Sequence, residues 1–319
     1  AQPFPSPTVP RLAKVRRSRQ PSLAQHPSMT QTASLNRNLV DTSTPPIPEA
    51  YDWAERYDGS AGPLVNMAQA APSTPPPAEL LTRFGAAAAD PAGARYGSIF
   101  GDKPLREAYA AELSSIYGGT IAFDDVGITA GCNMAFFVAA LSVAKAGEAV
   151  LIPAPWYFNH QMALTMLGIE PKVLPVDAAN GFVPEVEVAE RLISSKVKAI
   201  LLVTPNNPTG AVYPPETIRA FSELCKRRGL WLILDETYRD FLPEGRDRPH
   251  LEFSGSAADR GHIIQLYSFS KAFAMPGHRL GAILMPAALK PELGKALDTI
   301  QICPPRPGQA ALTWAIGAL

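Results

Sequence analysis

Cysteine is scarce in this sequence. Its three residues, Cys132, Cys225 and Cys303, are widely spaced and form no CxxC pair. An odd number of isolated cysteines argues against a disulfide framework and against a cysteine-based structural zinc site. The pattern is typical of a reducing compartment, and we therefore expect a cytoplasmic location.

The sequence also lacks an excess of charge of either sign. Lysine plus arginine and aspartate plus glutamate number 29 each, so no overall field attracts nucleic acid or an anionic membrane. The longest apolar runs, such as MAFFVAALSVA, are too short to span a bilayer. We therefore expect no nucleic acid and no membrane as partner, and a small molecule becomes the expected ligand.

Acidic residues are absent from the first forty positions, where every charged side chain is arginine or lysine. Proline, serine, threonine and glutamine fill much of the remainder. Such a segment buries too little apolar surface to offset its ordering entropy, which predicts a disordered basic tail over 1–48. A mitochondrial transit peptide has a similar composition and stays an open alternative.

From Tyr96 onward, short apolar segments alternate with helical patterns. The segments VGIT, AVLIP, KVLPV, KAILLV, LWLILD, HIIQLYS and GAILM predict strands that are apolar on both faces, as in a buried parallel sheet. PLREAYAAELSSIY, NMAFFVAALSVAKAG and PETIRAFSELCKRRG are among the helices predicted around and between them. The alternation predicts a layered α/β domain.

Residues of chemical interest fall at the ends of these predicted strands, where open α/β sheets bind ligands. Lys271 lies between an apolar strand and an apolar helix, where partial burial would lower the pKa of its amine and make it a Schiff-base nucleophile. A solvated loop lysine is the alternative. Asp235 closes LWLILD and either caps a helix or holds a protonated ring nitrogen as a buried carboxylate.

Several neighbouring groups suit an anion or a ligand oxygen. Ser268 and Ser270 stand beside Lys271, and Arg279 follows eight positions later. The run AGCN opens a helix after a strand, so its free N–H groups can bind an anion. Asn207 and Tyr238 can each face a ligand oxygen, although a turn and simple packing are the alternatives for them.

Five motifs in this order carry a resemblance: ITAGCN, PWYFNH, TPNNPTG, LILDETY and SFSKAFAMPGHRLG. Together they resemble the class I/II aminotransferases, pyridoxal 5'-phosphate enzymes of fold type I, roughly from Tyr51 to the last residue. The resemblance implies a three-layer α/β/α large domain with a mostly parallel sheet. It also implies transfer of an amino group between an amino acid and a 2-oxo acid, a homodimer, and no metal ion.

The resemblance assigns a role to each candidate residue. Lys271 forms a Schiff base with the cofactor and moves a proton, while Asp235 pairs with the pyridine nitrogen. The remaining ligands are Asn207 and Tyr238 on the phenolic oxygen, Tyr157 stacked on the ring, and Ser268, Ser270, Arg279 and the backbone of Gly131, Cys132 and Asn133 on the phosphate. Tyr96 reaches the phosphate of the neighbouring subunit.

Three features depart from the family pattern, the first being Cys132, where many relatives carry a small or hydroxylated residue. Ala70 stands where relatives usually carry a glycine near the substrate, and the chain stops at QAALTWAIGAL, where the family continues into a C-terminal small domain. That domain supplies an arginine for the substrate carboxylate. We therefore expect an N-terminal arm with the start of the small domain over 49–95, and a large domain over 96–319. We also expect cofactor binding with poor transamination.

Three other functions are considered. A lyase related to aminocyclopropane-carboxylate synthase uses the same motifs, since these fix the cofactor and leave the reaction outcome open. An inactive relative with a binding or regulatory role is consistent with the missing segment. The run SFSK also satisfies the S-x-x-K of penicillin-binding proteins, but no K-T-G follows it.

Overall fold

A central sheet forms from the segments that the sequence assigns to strands. The computed structural model describes residues 34–242 and 249–319. Within them the sheet has seven strands: β1 (Val126–Thr129), β2 (Ala149–Ala154), β3 (Glu170–Pro175), β4 (Val197–Val203), β5 (Trp231–Asp235), β6 (Ile263–Ser268) and β7 (Gly281–Leu284).

The order of the strands across the sheet is β1-β7-β6-β5-β4-β2-β3. All of them run parallel except β7, which is antiparallel to both β1 and β6. Gly281, the first residue of β7, is paired with Thr129 on one side and with Ser268 on the other. The prediction of a mostly parallel sheet is therefore confirmed, and β7 begins at the edge where β1 and β6 end.

The strands β1, β2, β4, β5, β6 and β7 are largely buried on both faces, as predicted from their apolar runs. The strand β3, at the edge of the sheet opposite β1, differs from these, because Val173 is 47% exposed. Its residues Glu170 and Lys172 fit this edge position, since charged side chains protect an open edge from pairing.

Helices cover both faces of the sheet and are numbered in chain order. Their bounds are α1 (Arg37–Val40), α2 (Pro46–Glu55), α3 (Ala78–Ala89), α4 (Lys103–Tyr117), α5 (Cys132–Val143), α6 (Phe158–Met166), α7 (Val186–Leu192), α8 (Pro215–Arg228), α9 (Phe269–Ala272), α10 (Lys290–Gln301) and α11 (Arg306–Ala318). One core includes α4, α8 and α11, and the other includes α5, α6 and α10. The predicted three-layer α/β/α arrangement is confirmed.

Local sequence explains where α4 begins and ends. Pro104 lies in its first turn, where a missing backbone N–H costs nothing. Gly118 ends the helix in the left-handed conformation, with φ of 72°, and its N–H donates to the carbonyl of Ser114.

The predicted N-terminal tail extends to residue 48, and positions 1–33 of it lie outside the described residues. Beyond them, α1 and the start of α2 fall within the predicted tail. Every helix and strand named above lies within Arg37–Leu319. In the part of the chain that is described, no helix has the length and apolar character of a membrane span, and no cluster of potential metal ligands occurs.

Candidate functional site

A cleft of about 720 Å³ opens at the carboxyl ends of the parallel strands. It gathers most of the residues predicted from the sequence: Cys132, Asn133, Tyr157, Asn207, Asp235, Tyr238, Ser268, Ser270, Lys271 and Arg279. They lie at or just after the carboxyl ends of five strands, β1, β2, β4, β5 and β6, as the strand-end rule predicts. The segment Met67–Ala70 and the helix α2 line the cleft from the N-terminal side.

Asp235 lies at the base of the cleft and is only 4% exposed. Its Oδ2 atom lies 3.1 Å from Nε2 of His160, and its Oδ1 atom accepts the backbone N–H of Thr237 at 3.0 Å. Burial by itself would raise the pKa of this carboxyl group, but the hydrogen bond and charge of His160 outweigh it, so the pKa is lowered. Asp235 is therefore held as a carboxylate, and it caps no helix, because the short 3-10 helix that follows has Tyr238 at its N-cap.

The sequence interpretation assigned no role to His160. Its side chain is 2% exposed, and its ring meets that of Tyr157 edge-on at 5.1 Å between centroids. Among the described residues, its Nδ1 atom has no hydrogen-bond partner. The signal was present in PWYFNH, since His160 follows Tyr157 by three positions and therefore shares one face of the helix start with it.

Lys271 occupies the four-residue helix α9 directly after β6. Its Nζ atom donates to the backbone carbonyl of Ala70 and lies 5.9 Å from the centre of the Tyr238 ring. Partial burial, followed by the positive charge of Arg279, lowers the pKa of the amine below that of a free lysine. Near neutral pH, a larger fraction of the Lys271 amine is therefore unprotonated and nucleophilic than of a free lysine.

Arg279 and the start of α5 form an anion cradle on one wall of the cleft. Gly131 caps α5 with φ of 88° and ψ of 163°, a conformation essentially restricted to glycine. A Cβ atom added at Gly131 would lie 2.3 Å from Nη2 of Arg279, so only glycine lets the guanidinium approach this backbone. Ser268 accepts the N–H of Ser270 at the start of α9, which leaves its hydroxyl proton directed to other acceptors.

A glutamine from the opposite end of the chain supports this cradle. The Oε1 atom of Gln301 accepts the N–H of Ala130 at 2.9 Å, and its Nε2 atom donates to the carbonyl of Ile128 at 3.2 Å. These two bonds fix the backbone that leads into Gly131. No local sequence signal identifies Gln301, because it stands about 170 positions away from its partners.

Tyr157 also lines the cleft, next to the start of α5. The Nδ2 atom of Asn159 donates to its hydroxyl oxygen at 2.7 Å, and Oδ1 of Asn133 lies 3.5 Å from that oxygen. Burial raises the pKa of the phenol, so Tyr157 stays neutral and presents a flat ring to the cleft. Asn159 is a second residue to which sequence reasoning gave no role.

Asn207 and Tyr238 face the cleft from neighbouring strand ends. The adjacent Asn206 shapes the turn, since its Oδ1 atom accepts from both the N–H and the hydroxyl of Thr209. Asn207 is thereby presented to the cleft. Burial raises the pKa of Tyr238, whose protonated phenol can donate to a ligand oxygen.

Cys132 contributes a thiol that is unsuited to catalysis. Thr237 lies with its hydroxyl 3.6 Å from the sulfur. Burial, followed by the negative charge of Asp235, raises the pKa of the thiol well above its ordinary range. The thiol therefore stays protonated, and the backbone of Cys132 is the part available to an anion.

Tyr96 is not brought to this cleft. Its side chain is 81% exposed, and it lies in the segment between α3 and α4, outside the lining of the cleft. The resemblance assigns it to a neighbouring subunit, a role to which its outward position is suited.

The geometry of the cleft fits one kind of ligand. An amine of lowered pKa, a buried carboxylate and an anion cradle lie around a single cavity beside the ring of Tyr157. A flat heteroaromatic aldehyde that carries a phosphate and a basic ring nitrogen would place one group on each of them. The glycine-only approach of Arg279 to Gly131 is the observation that most favours a phosphate.

Comparisons with known proteins agree with this chemistry. A sequence profile described as aminotransferase class I and II matches residues 56–318. An aromatic aminotransferase of Arabidopsis thaliana is 30% identical over 75% of this chain and 60% of its own length. A valine–pyruvate aminotransferase of Mycobacterium tuberculosis is 31% identical over 86% of this chain and 70% of its own length.

Solved structures give the same picture. The crystal structure of an aminotransferase from Mycobacterium tuberculosis superposes with a TM-score of 0.80 at 28% identity, over 89% of this chain and 72% of that one. This chain thus spans 60% of the length of the plant relative and about 70% of the two mycobacterial proteins.

Proposed function

We propose, on the premise that this chain belongs to the class I and II aminotransferase family, that it acts as a pyridoxal 5'-phosphate-dependent aminotransferase. Its substrates would be an amino acid and a 2-oxo acid. The observation that carries the proposal is the convergence of Lys271, Asp235 and the Gly131–Arg279 cradle on one cleft. The names of the matched relatives favour transamination over the lyase outcome.

The residues around the cleft would hold each part of the cofactor. Arg279, Ser268, Ser270 and the N–H groups of Gly131, Cys132 and Asn133 would bind the phosphate. Asn207 and Tyr238 would bind the phenolic oxygen, and Tyr157 would cover one face of the ring. Asp235 would pair with the ring nitrogen, and Lys271 would bind the aldehyde carbon through its amine. When bound, the cofactor supplies the electron-withdrawing ring that stabilises negative charge at the substrate α-carbon.

The residues of the protein would control the protonation states and the proton transfer in the reaction. Asp235 is a buried carboxylate, and its charge would keep the nearby ring nitrogen protonated. The Nζ atom of Lys271 has a lowered pKa and would move a proton from the substrate α-carbon to the carbon of the former aldehyde, and in the opposite direction in the second half of the reaction. His160 would keep Asp235 oriented and charged throughout.

A homodimer is part of the proposal. Tyr96 is 81% exposed and would donate its hydroxyl to the phosphate in a second copy. The N-terminal side of the chain also exposes several large apolar side chains, among them Trp53 at 60%, Val65 at 74% and Met67 at 87%. Surfaces of this kind mark sites of protein association. We also infer a reducing compartment, such as the cytoplasm, because all three cysteines are unpaired.

The test is to add pyridoxal 5'-phosphate to the purified protein, reduce it with borohydride and map the labelled peptide. We expect the label on Lys271 and none on Lys145, an exposed lysine on another loop. Absorption changes with a panel of amino acids then report amino transfer, with Lys271→Ala as the inactive control. A label on a different lysine, or none on folded protein, would refute the proposal.

A further inference from the structure

The loop that carries Tyr96 is attached to α11 by one arginine. The Nη1 atom of Arg306 donates to the carbonyl oxygens of Ala92 and Arg95, at 2.6 Å and 3.4 Å. Its Nε atom donates to Oδ2 of Asp102 at 3.2 Å. A single guanidinium therefore binds the loop on both sides of Tyr96, and we refer to Arg306 and Asp102 as the loop clamp.

Asp102 takes part in this clamp in place of its usual role. It stands at the N-cap of α4, where an aspartate commonly accepts an N–H of the first turn, yet its side chain makes no capping bond. Its carboxylate faces Arg306, and its own N–H donates to Oε1 of Gln309 at 2.7 Å. Gln309 is 1% exposed and belongs to α11, so two residues of that helix hold Asp102.

The backbone around Tyr96 has little room to move. A Cβ atom added at Gly97 would lie 3.0 Å from Oδ1 of Asp102 and 3.1 Å from Cδ of Arg306. A Cβ atom at Gly101 would lie 2.6 Å from the side chain of Ile128, and Gly101 has a positive φ of 89°. The loop is packed against the clamp and the sheet, while the phenol that it carries is exposed.

An exposed tyrosine on a fixed loop is suited to binding outside its own chain. Fixing a contact group in advance reduces the ordering cost of association. We propose that Arg306 is a positioning residue, which holds Tyr96 so that its hydroxyl donates to the cofactor phosphate bound by a second copy. This inference rests on the proposed function, and Arg306 itself touches neither cofactor nor substrate.

A purely structural role for Arg306 is the competing explanation. The helix α11 has its own apolar contacts, because Ala311, Leu312 and Ala315 are buried in the core. Removing the arginine should therefore leave α11 in place. Arg83 provides a matched control, since it also contacts α11, stacking 4.5 Å above the Trp314 ring, while its ion pair is with Glu79 of its own helix.

The first experiment is a double-mutant cycle on cofactor affinity, measured by titrating cofactor-free protein with pyridoxal 5'-phosphate. We expect Tyr96→Phe to weaken binding about tenfold, as for a hydrogen bond to a charged group. Arg306→Gln should weaken it by about threefold or more, and the double variant should bind like Tyr96→Phe alone. Arg83→Gln should bind like the unsubstituted protein. Losses that multiply in the double variant would overturn the inference.

Arg306→Lys is the second variant, in case Arg306→Gln fails to fold. Its ammonium can still face Asp102, but its single nitrogen cannot also reach the two loop carbonyls. We expect a folded protein with an affinity between those of the unsubstituted protein and Tyr96→Phe. Unchanged affinity in a folded Arg306→Lys protein would overturn the inference.

The second experiment asks in which copy Arg306 acts. Mixed dimers are prepared in which one copy carries Lys271→Ala, so that only the other copy can be labelled at Lys271 by borohydride. Placing Arg306→Gln on the Lys271→Ala copy should weaken labelling, because that copy supplies Tyr96 to the intact site. Placing it on the Lys271-bearing copy should leave labelling unchanged.

The outcomes separate this inference from the proposed function. Suppose that Arg306→Gln weakens labelling only when it is placed on the Lys271-bearing copy, while Tyr96→Phe weakens labelling from the other copy. This result would overturn the inference and leave the proposed function standing. A protein that stays monomeric, or in which Tyr96→Phe has no effect, would overturn the inference together with the proposed dimer. Absence of label on Lys271 in the unsubstituted protein would overturn both the inference and the proposed cofactor.

Discussion

Replacing Gly131 with alanine separates cofactor affinity from stability. Gly131 has φ of 88° and ψ of 163°, where a side chain costs about 1–3 kcal/mol of unfolding free energy. The added Cβ would also lie 2.3 Å from Nη2 and 2.8 Å from Cζ of Arg279. The guanidinium is exposed and flexible, so it would move away from the new methyl group, and the clash itself should cost little stability.

The displacement of Arg279 should appear in cofactor binding. A hydrogen bond between charged partners contributes about 1.5–3 kcal/mol, which corresponds to a loss of affinity of about tenfold to a hundredfold. Gly147→Ala is the control, because Gly147 also has a positive φ, of 85°, but no atom lies within 4 Å of its added Cβ. It precedes β2, so it lies at the amino ends of the parallel strands, whereas the cleft lies at their carboxyl ends.

Two measurements on each variant test this reasoning. Urea unfolding should show a loss of stability for both Gly131→Ala and Gly147→Ala, since both place a side chain at positive φ. Titration with pyridoxal 5'-phosphate should show weakened binding for Gly131→Ala only. Equal affinities in the two variants would refute the assignment of the cradle to the phosphate.

Three further predictions concern titratable groups. Acetylation of cofactor-free protein at several pH values, followed by peptide mapping, should give the Lys271 amine an apparent pKa below that of a free lysine. Arg279→Gln should raise this pKa, because it removes a nearby positive charge. An unchanged pKa in Arg279→Gln would show that the charge of Arg279 has no effect on Lys271. His160→Phe should lose on the order of 3 kcal/mol of unfolding free energy at pH 7, because it strands a buried carboxylate. Asp235 has a lowered folded pKa, so its stabilising contribution is complete above its unfolded pKa of about 4 and is lost as pH falls through the folded value. The deficit of His160→Phe should therefore shrink in acid, and urea unfolding at pH 7 and in acid checks this. Cys132 should react slowly with a disulfide reagent at pH 8 until urea unfolds the protein, and rapid reaction of native protein would contradict its raised thiol pKa.

Much of the fold was predictable because buried parallel strands are apolar throughout. The segments LWLILD and HIIQLYS were predicted as strands of this kind and form β5 and β6, and the family predicted from the five motifs is confirmed by the profile match. The pairing order was not predictable, because strands that are apolar on both faces carry no information about their neighbours. The reversed direction of β7 was hidden for the same reason.

The site was predicted where its residues follow strands, and missed where they support other residues. Lys271 and Asp235 stand at strand ends, and the structure brings them to one cleft. His160 and Asn159 lie in a recognised motif, but their roles depend on which atoms they contact. Gln301 could not be found, since only the folded chain brings α10 to the start of the cradle.

The reversed strand β7 has a consequence for spacing along the chain. The end of β6 and the start of β7 are paired side by side at the carboxyl ends of the parallel strands. Residues 269–280 therefore form one short connection whose two ends are fixed by the sheet. Lys271 and Arg279 both lie in this segment, so the number of residues between them determines the distance between the amine and the guanidinium. Asp235, Asn207 and Tyr157 are separated from one another by crossover segments, which can gain or lose residues without changing the distances across the cleft. Inserting a single glycine between Lys271 and Arg279 should therefore be far more harmful than inserting one in a crossover loop.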